Sequence, residues 1–202
     1  MPELADLAEL DTLERLATGF SFTEGPIWHP AQYLLFSDIP QDTRRRWDPE
    51  RGITVAMSPA NKCNGMTLTR GLSLLVCEHS TSSVVVEHPS GRREVLASHW
   101  GDRELNAPND IVTGRDDSIY FSDPVYGRMP VDGIERDQDL DFQGLYRISR
   151  SGDLQLLAEN PWRCSTLGRC TSRALASPPI SLPRRNGTPG PRRRAIHKPV
   201  TR

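Results

Sequence analysis

Aromatic residues are scarce, at 6% of the 202-residue chain, and no apolar run approaches the ~18 residues of a membrane-spanning helix. Cysteine is limited to Cys63, Cys77, Cys164 and Cys170, with no C-x-x-C pair, so the usual zinc-ligand spacing is missing. The N-terminus, MPELADLAELD, is acidic and lacks the basic start and apolar stretch of a secretory signal. No G-x-S-x-G elbow, H-E-x-x-H helix or phosphate-binding loop occurs. These absences argue against a membrane protein, a zinc module and a nucleophilic-serine hydrolase. They leave a reducing cytoplasm as the expected compartment.

The chain is not short of core-forming residues. Hydrophobic residues make up 36%, and the 15 Gly raise the apolar share to about 44%, near the ordinary globular value. Charge is distributed unevenly. Residues 1–160 carry 15 Lys/Arg and all 26 Asp/Glu, whereas 161–202 carry 10 Lys/Arg and no acid. The expected organisation is therefore an acidic body over 1–160 and a basic tail over 161–202.

The body repeats. EGPIWHPAQYLLFSDI (24–39), NGMTLTRGLSLLVCEH (64–79) and NDIVTGRDDSIYFSDP (109–124) align from their first residues, which lie 40 and 45 apart. Fourteen residues after each start stands an acid, Asp38, Glu78 or Asp123, preceded by a small residue and an apolar run. Each unit reads as two strands joined by a turn, at His29-Pro30, Arg70-Gly71 or Asp116-Asp117. Third strands are expected within 43–52, 83–92 and 145–153, and fourth strands at 53–57, 94–98 and 154–158. Four short strands per ~40–45 residues is the blade period of a β-propeller. The expected fold is all-β, with about three blades in this chain; a generic antiparallel sandwich is the weaker alternative. The third unit carries an extra loop at about 126–143. Leu4, Leu7, Leu10 and Leu13 allow a short helix before the repeats, and 18–23 alternates loosely like a strand.

Equivalent residues of propeller blades converge on one axis. Glu24, Asn64 and Asn109 are equivalent, and three oxygen-bearing side chains at one height suit a hard divalent cation. Against this, an Asn at a strand start often bonds its own backbone. The recurring acids Asp38, Glu78 and Asp123 read as strand-end caps. His79 is within reach of the channel mouth, although a lone His is more often a surface or turn residue.

FTEGPIWHP (22–30), LLFSDIP (34–40), NGMTLTRGLSLLVCEH, LNAPNDIV (105–112), IYFSDPVYG (119–127) and DFQGLYRIS (141–149) together resemble a known family. It is the senescence marker protein/gluconolactonase/luciferin-regenerating enzyme family, with the bacterial gluconolactonase branch nearest in style. The resemblance implies a six-bladed propeller with one divalent metal, calcium first, with magnesium, manganese or zinc as alternatives. It also implies hydrolysis of sugar lactones. The family's first metal ligand falls on Glu24, and its Asn beside the metal, which contacts substrate, falls on Asn109. A fourth-blade Asn ligand and a fifth-blade Asp, the general base, have no counterpart here, so the catalytic base is unassigned. Where vertebrate-type members place an Arg, this chain has Ala107.

A six-bladed chain of this period needs about 260–300 residues. The tail from residue 160 has seven Pro and nine Arg and shows no repeat. It reads as out-of-frame sequence, as a solvated tail, or, with least support, as a nucleic-acid-binding arm. Two functions stay open: a lactonase by lineage, and a non-catalytic truncated scaffold. Open propeller edges also lead to an expectation of self-association.

Overall fold

Short apolar runs separated by turn residues fold as antiparallel four-stranded sheets. The computed structural model describes residues 14–130, 133–160, 162–164 and 170–172. The first blade comprises β1 (Thr23–His29), β2 (Tyr33–Asp38), β3 (Thr43–Asp48) and β4 (Gly52–Met57). The second comprises β5 (Cys63–Leu68), β6 (Leu74–Glu78), β7 (Ser83–Glu87) and β8 (Arg93–Ala97). A two-stranded hairpin, β9 (His99–Trp100) and β10 (Arg103–Glu104), leads into the third blade. That blade comprises β11 (Ile111–Thr113), β12 (Ile119–Asp123), β13 (Gln143–Ile148) and β14 (Leu154–Asn160). Strands follow one another in order within each sheet, so the chain is all-β and forms consecutive propeller blades.

The expected strands are present in all three repeats. The extra loop of the third blade is present too, with one 3-10 turn at Tyr126–Arg128. The hairpin at 99–104 was not expected, because two-residue strands leave no periodic signature. No strand forms over 18–22, although alternation over 18–23 suggested one and Thr23 opens β1; the possible leading helix lies outside the described residues. In the tail, β15 (Trp162–Cys164) pairs antiparallel with β16 (Cys170–Ser172). That pairing was not anticipated for a tail in which no repeat or strand pattern was read. The rest of 161–202 lies outside the described residues.

The second blade is packed on both faces. Leu75, Cys77, Val84 and Val86 meet Phe121, Tyr146 and Ile148 of the third blade. Val76, Val85 and Met66, from the alternate positions, meet Leu35 of the first. This explains why LLVCE and SVVVE are continuous rather than alternating runs. Each fully buried Val or Leu contributes about 1.5–3 kcal/mol. Arg44 of β3 and Glu87 of β7 add a two-pronged ion pair across the first junction, with both N···O distances 2.7 Å.

The innermost strands approach each other backbone to backbone. A β-carbon on Gly25 would lie 2.1 Å from the carbonyl oxygen of Asn64, and one on Gly65 would lie 2.4 Å from that of Asn109. Gly65 N–H donates to this Asn109 oxygen at 2.7 Å. Gly25 also has φ +56°, which favours glycine. Register shifts between Glu24 and Ile27 and between Cys63 and Met66 fall at these glycines. Such bulges re-aim the side chain beside them.

Gly65→Ala is expected to force the second and third blades apart and to cost at least about 2 kcal/mol, through overpacking and a lost hydrogen bond. Gly91→Ala, at a turn with φ +86° and open space, is expected to cost about 1–2 kcal/mol, the αL penalty alone. Urea unfolding of the two variants measures the difference. Equal small losses would contradict the close approach.

Candidate functional site at the blade axis

The glycine contacts bring the starts of the three inner strands together. Glu24, Asn64 and Asn109 each precede or form part of a contact between neighbouring blades. The structure therefore places the backbones of the three sequence-predicted residues side by side at the starts of neighbouring inner strands. Glu24 is exposed, and its carboxylate accepts only the N–H of its own Gly25, at 3.3 Å, among the described residues. Asn109 is half-buried. Its backbone is held on both sides, N–H to Ser122 O at 2.9 Å and C=O from Gly65 N–H. Its side-chain amide makes no hydrogen bond among the described residues.

Asn64 is buried, at 4% exposure. Its carbonyl accepts the Ser37 hydroxyl at 2.8 Å, and its amide Nδ2 lies 3.3 Å from His79 Nε2. With Nδ2 donating, Asn64 Oδ1 remains available as an oxygen donor. His79 is buried at the end of β6, not on the surface as a lone His suggested. A β-carbon on Gly127 would lie 2.4 Å from its ring and 2.6 Å from Ala107 Cβ. The long loop of the third blade is thus seated over both. Arg128 clamps that loop: its guanidinium donates to Asn106 O at 2.7 Å and pairs with Glu104 at 2.8 Å. Arg136 donates to His79 O at 2.7 Å. Sequence spacing gave no signal for His79, since its partner stands 15 residues away.

The recurring acids act as caps, in agreement with their expected structural role. Asp38 accepts N–H bonds from Ser21 and Phe22, at 3.1 and 3.2 Å. Asp123 does the same for Asn106 and Ala107, both at 2.8 Å. Each acid thereby ties down the chain leading into its own blade. Glu78 departs from the pattern and pairs with Arg93 at 2.6 Å and Thr81 at 2.7 Å. Burial, followed by the negative charges of Asp110, Asp123 and Glu78, raises the Cys77 thiol well above its ordinary value.

The three candidate side chains are one carboxylate and two amides, whose oxygens suit a hard divalent cation in kind. They supply about half of the six to eight oxygens of a calcium shell. Among the described residues, no three His, Cys, Asp or Glu side chains converge as a metal cluster.

Burial raises Asp123 to about 7, against the two N–H donors and Arg128, which favour its charged form. Between about pH 4 and 7 the folded chain therefore holds a proton that the unfolded chain releases. This group's contribution to stability is full below about pH 4, falls as pH rises through 7, and is flat above. Urea unfolding at pH 5 and pH 8 is expected to show wild type losing stability relative to Asp123→Asn as pH rises. A pH-independent gap would contradict it.

Comparison with known proteins agrees with this fold. The family described as SMP-30/Gluconolactonase/LRE-like region matches residues 22–166. A gluconolactonase of Zymomonas mobilis subsp. mobilis is 28% identical over 172 residues, covering 77% of this chain and 48% of that protein. A solved putative gluconolactonase superposes with a TM-score of 0.69 at 31% identity, covering 72% of this chain and 51% of that one. A gluconolactonase from Xanthomonas campestris gives 0.67 at 28% identity, covering 71% and 49%. The chain spans about half the length of these relatives. Among the described residues, no helix is long and apolar enough to cross a membrane. With the family match covering well over half of its residues, the chain belongs to the SMP-30/gluconolactonase/LRE-like family.

Proposed function

We propose that this chain carries the first half of a metal-dependent site for hydrolysing sugar lactones. The observation that supports it is the close backbone approach, at Gly25 and Gly65, of the strand starts that carry Glu24, Asn64 and Asn109. The gluconolactonase lineage supports the substrate class, a small cyclic ester. Glu24 would hold the cation with its exposed carboxylate, and Asn109 and Asn64 would add neutral oxygens. Calcium is the first choice for an all-oxygen shell, with magnesium, manganese or zinc as alternatives. When bound, such an ion polarises a carbonyl and stabilises the oxyanion formed by attacking water.

The chain's own residues do the positioning. The Asn109 amide has no other partner among the described residues, so it is available to orient a substrate oxygen. Its backbone, pinned between Gly65 and Ser122, keeps that amide in place. His79 holds the Asn64 amide, and the Arg128-clamped loop shields both from water. Nothing among these residues is placed to take a proton from water, and the described residues supply about half of a calcium shell. One copy alone is therefore a slow catalyst or a non-catalytic scaffold.

The 202-residue chain, assayed as a monomer on gluconolactone with each of the four metals, is expected to show little turnover. Fusing it through residue 160 to the remaining blades of the Zymomonas relative is expected to give metal-dependent hydrolysis. In that fusion, Glu24→Gln is expected to lower both metal affinity and kcat/KM by about 10- to 100-fold, the usual scale for a disturbed metal site. Full activity and metal occupancy in Glu24→Gln would remove Glu24 from the site.

A further inference from the structure

We propose that the cleft between the first and second blades, at the end of β1 away from Glu24, binds a small organic carboxylate with a planar apolar body. The cleft has a volume of about 600 Å³, within the ~300–1,000 Å³ of ordinary small-molecule sites. Its walls belong to the two described blades, with the β1–β2 hairpin on one side and the β5–β6 and β7–β8 turns on the other. It is separate from the strand starts that carry Glu24, Asn64 and Asn109, because His29, the last residue of β1, lines it.

One wall is a stack of planar groups. The Tyr33 ring lies 4.4 Å from that of His29, with 7° between their planes. The Arg46 guanidinium lies 4.1 Å over the Tyr33 ring. His29 Nδ1 accepts the Ala31 N–H at 3.1 Å, which holds the imidazole in the stack. Arg46 Nε faces Asp48 Oδ2 at 3.4 Å. Neither terminal nitrogen of Arg46 makes a hydrogen bond among the described residues. A guanidinium stacked by its face on an aromatic ring keeps its edge for a carboxylate, which it binds as a two-pronged fork.

The rest of the cleft supplies an apolar bed and little competing charge. Leu35 and Leu74 line it and are each 8% exposed, and Leu72, at the β5–β6 turn, borders it at 44% exposure. Arg44 and Glu87 also line it, and they neutralise each other through two bonds of 2.7 Å. His88 is engaged by Ser73 at 3.2 Å and by Glu94 at 2.9 Å. Arg46 is therefore the charge left to select a ligand, and it selects an anion. Planar ligands match the wall, because the His29–Tyr33–Arg46 stack presents flat groups whose orientation is already fixed.

The test titrates the 202-residue chain with 2-naphthoate, and with 2-naphthalenemethanol, which has the same flat body without the charge. Ligand-observed NMR reads both. Naphthoate is expected to bind with a Kd of about 1 mM or tighter, the range that per-atom free energies give a ligand of this size. It is expected to bind at least about 5-fold more tightly than the alcohol, the scale of a charge-assisted hydrogen bond. Arg46→Met, which keeps a straight apolar side chain, is expected to remove that preference, and Arg46→Lys to retain part of it. Thr54 stands directly opposite Arg46 in the β3–β4 pairing and is exposed. Thr54→Glu places a competing carboxylate beside Arg46, and is expected to weaken naphthoate by at least about 10-fold with little effect on the alcohol. Arg150→Met, at an exposed turn of the third blade, is expected to leave both affinities unchanged. No saturable naphthoate binding up to about 10 mM would overturn the proposal. So would equal affinity for the acid and the alcohol, or a preference for the acid that survives Arg46→Met or Thr54→Glu.

Discussion

Close backbone approach at the axis is the constraint on which the rest depends. Gly25 against Asn64 and Gly65 against Asn109 leave no room for a β-carbon. Because the inner strands meet there, the blades splay outward, and their faces must be filled by side chains further out. The second blade fills both gaps, which is why its two central strands are apolar throughout. The same approach sets the backbones of Glu24, Asn64 and Asn109 side by side.

Buried acids complete the arrangement by holding the segments that lead into the inner strands. Asp38 and Asp123 each take two backbone N–H groups, and those of Asn106 and Ala107 would otherwise be buried without partners. The second blade solves the problem differently. Asp42 Oδ1, from the first blade's turn, accepts the N–H groups of Ala60 and Lys62. Ser82 repeats this toward the third blade by donating its hydroxyl to Asn106 O at 2.9 Å. Turns of one blade therefore secure the start of the next, and the site residues sit between such ties.

Much of this was legible because the chain repeats itself. The offsets of 40 and 45 residues between Glu24, Asn64 and Asn109 located all three blades, and the acids fourteen residues on marked the strand ends. What a repeat does not reveal is contact between unlike positions. His79 looked like an isolated histidine because its bond to Asn64 crosses from one strand end to another strand start. Glu78 shares register with Asp38 and Asp123, yet Arg93, which has no repeat equivalent, claims it. The hairpin at 99–104 and the seating of Gly127 on His79 depend on loops whose paths no periodicity encodes. In the long loop, Arg128 is the anchor, and a single arginine among the many in this chain carries no sequence signal.

The central claim is that Glu24 and Asn109 face one point on the axis from which a single cation can touch both. Crystals grown with manganese, with data collected at its absorption edge, measure this directly. The account predicts one anomalous peak within about 2.0–2.6 Å of oxygens from both Glu24 and Asn109, the range for hard divalent cations. Peaks confined to surface carboxylates, with Glu24 and Asn109 turned away from each other, would contradict it.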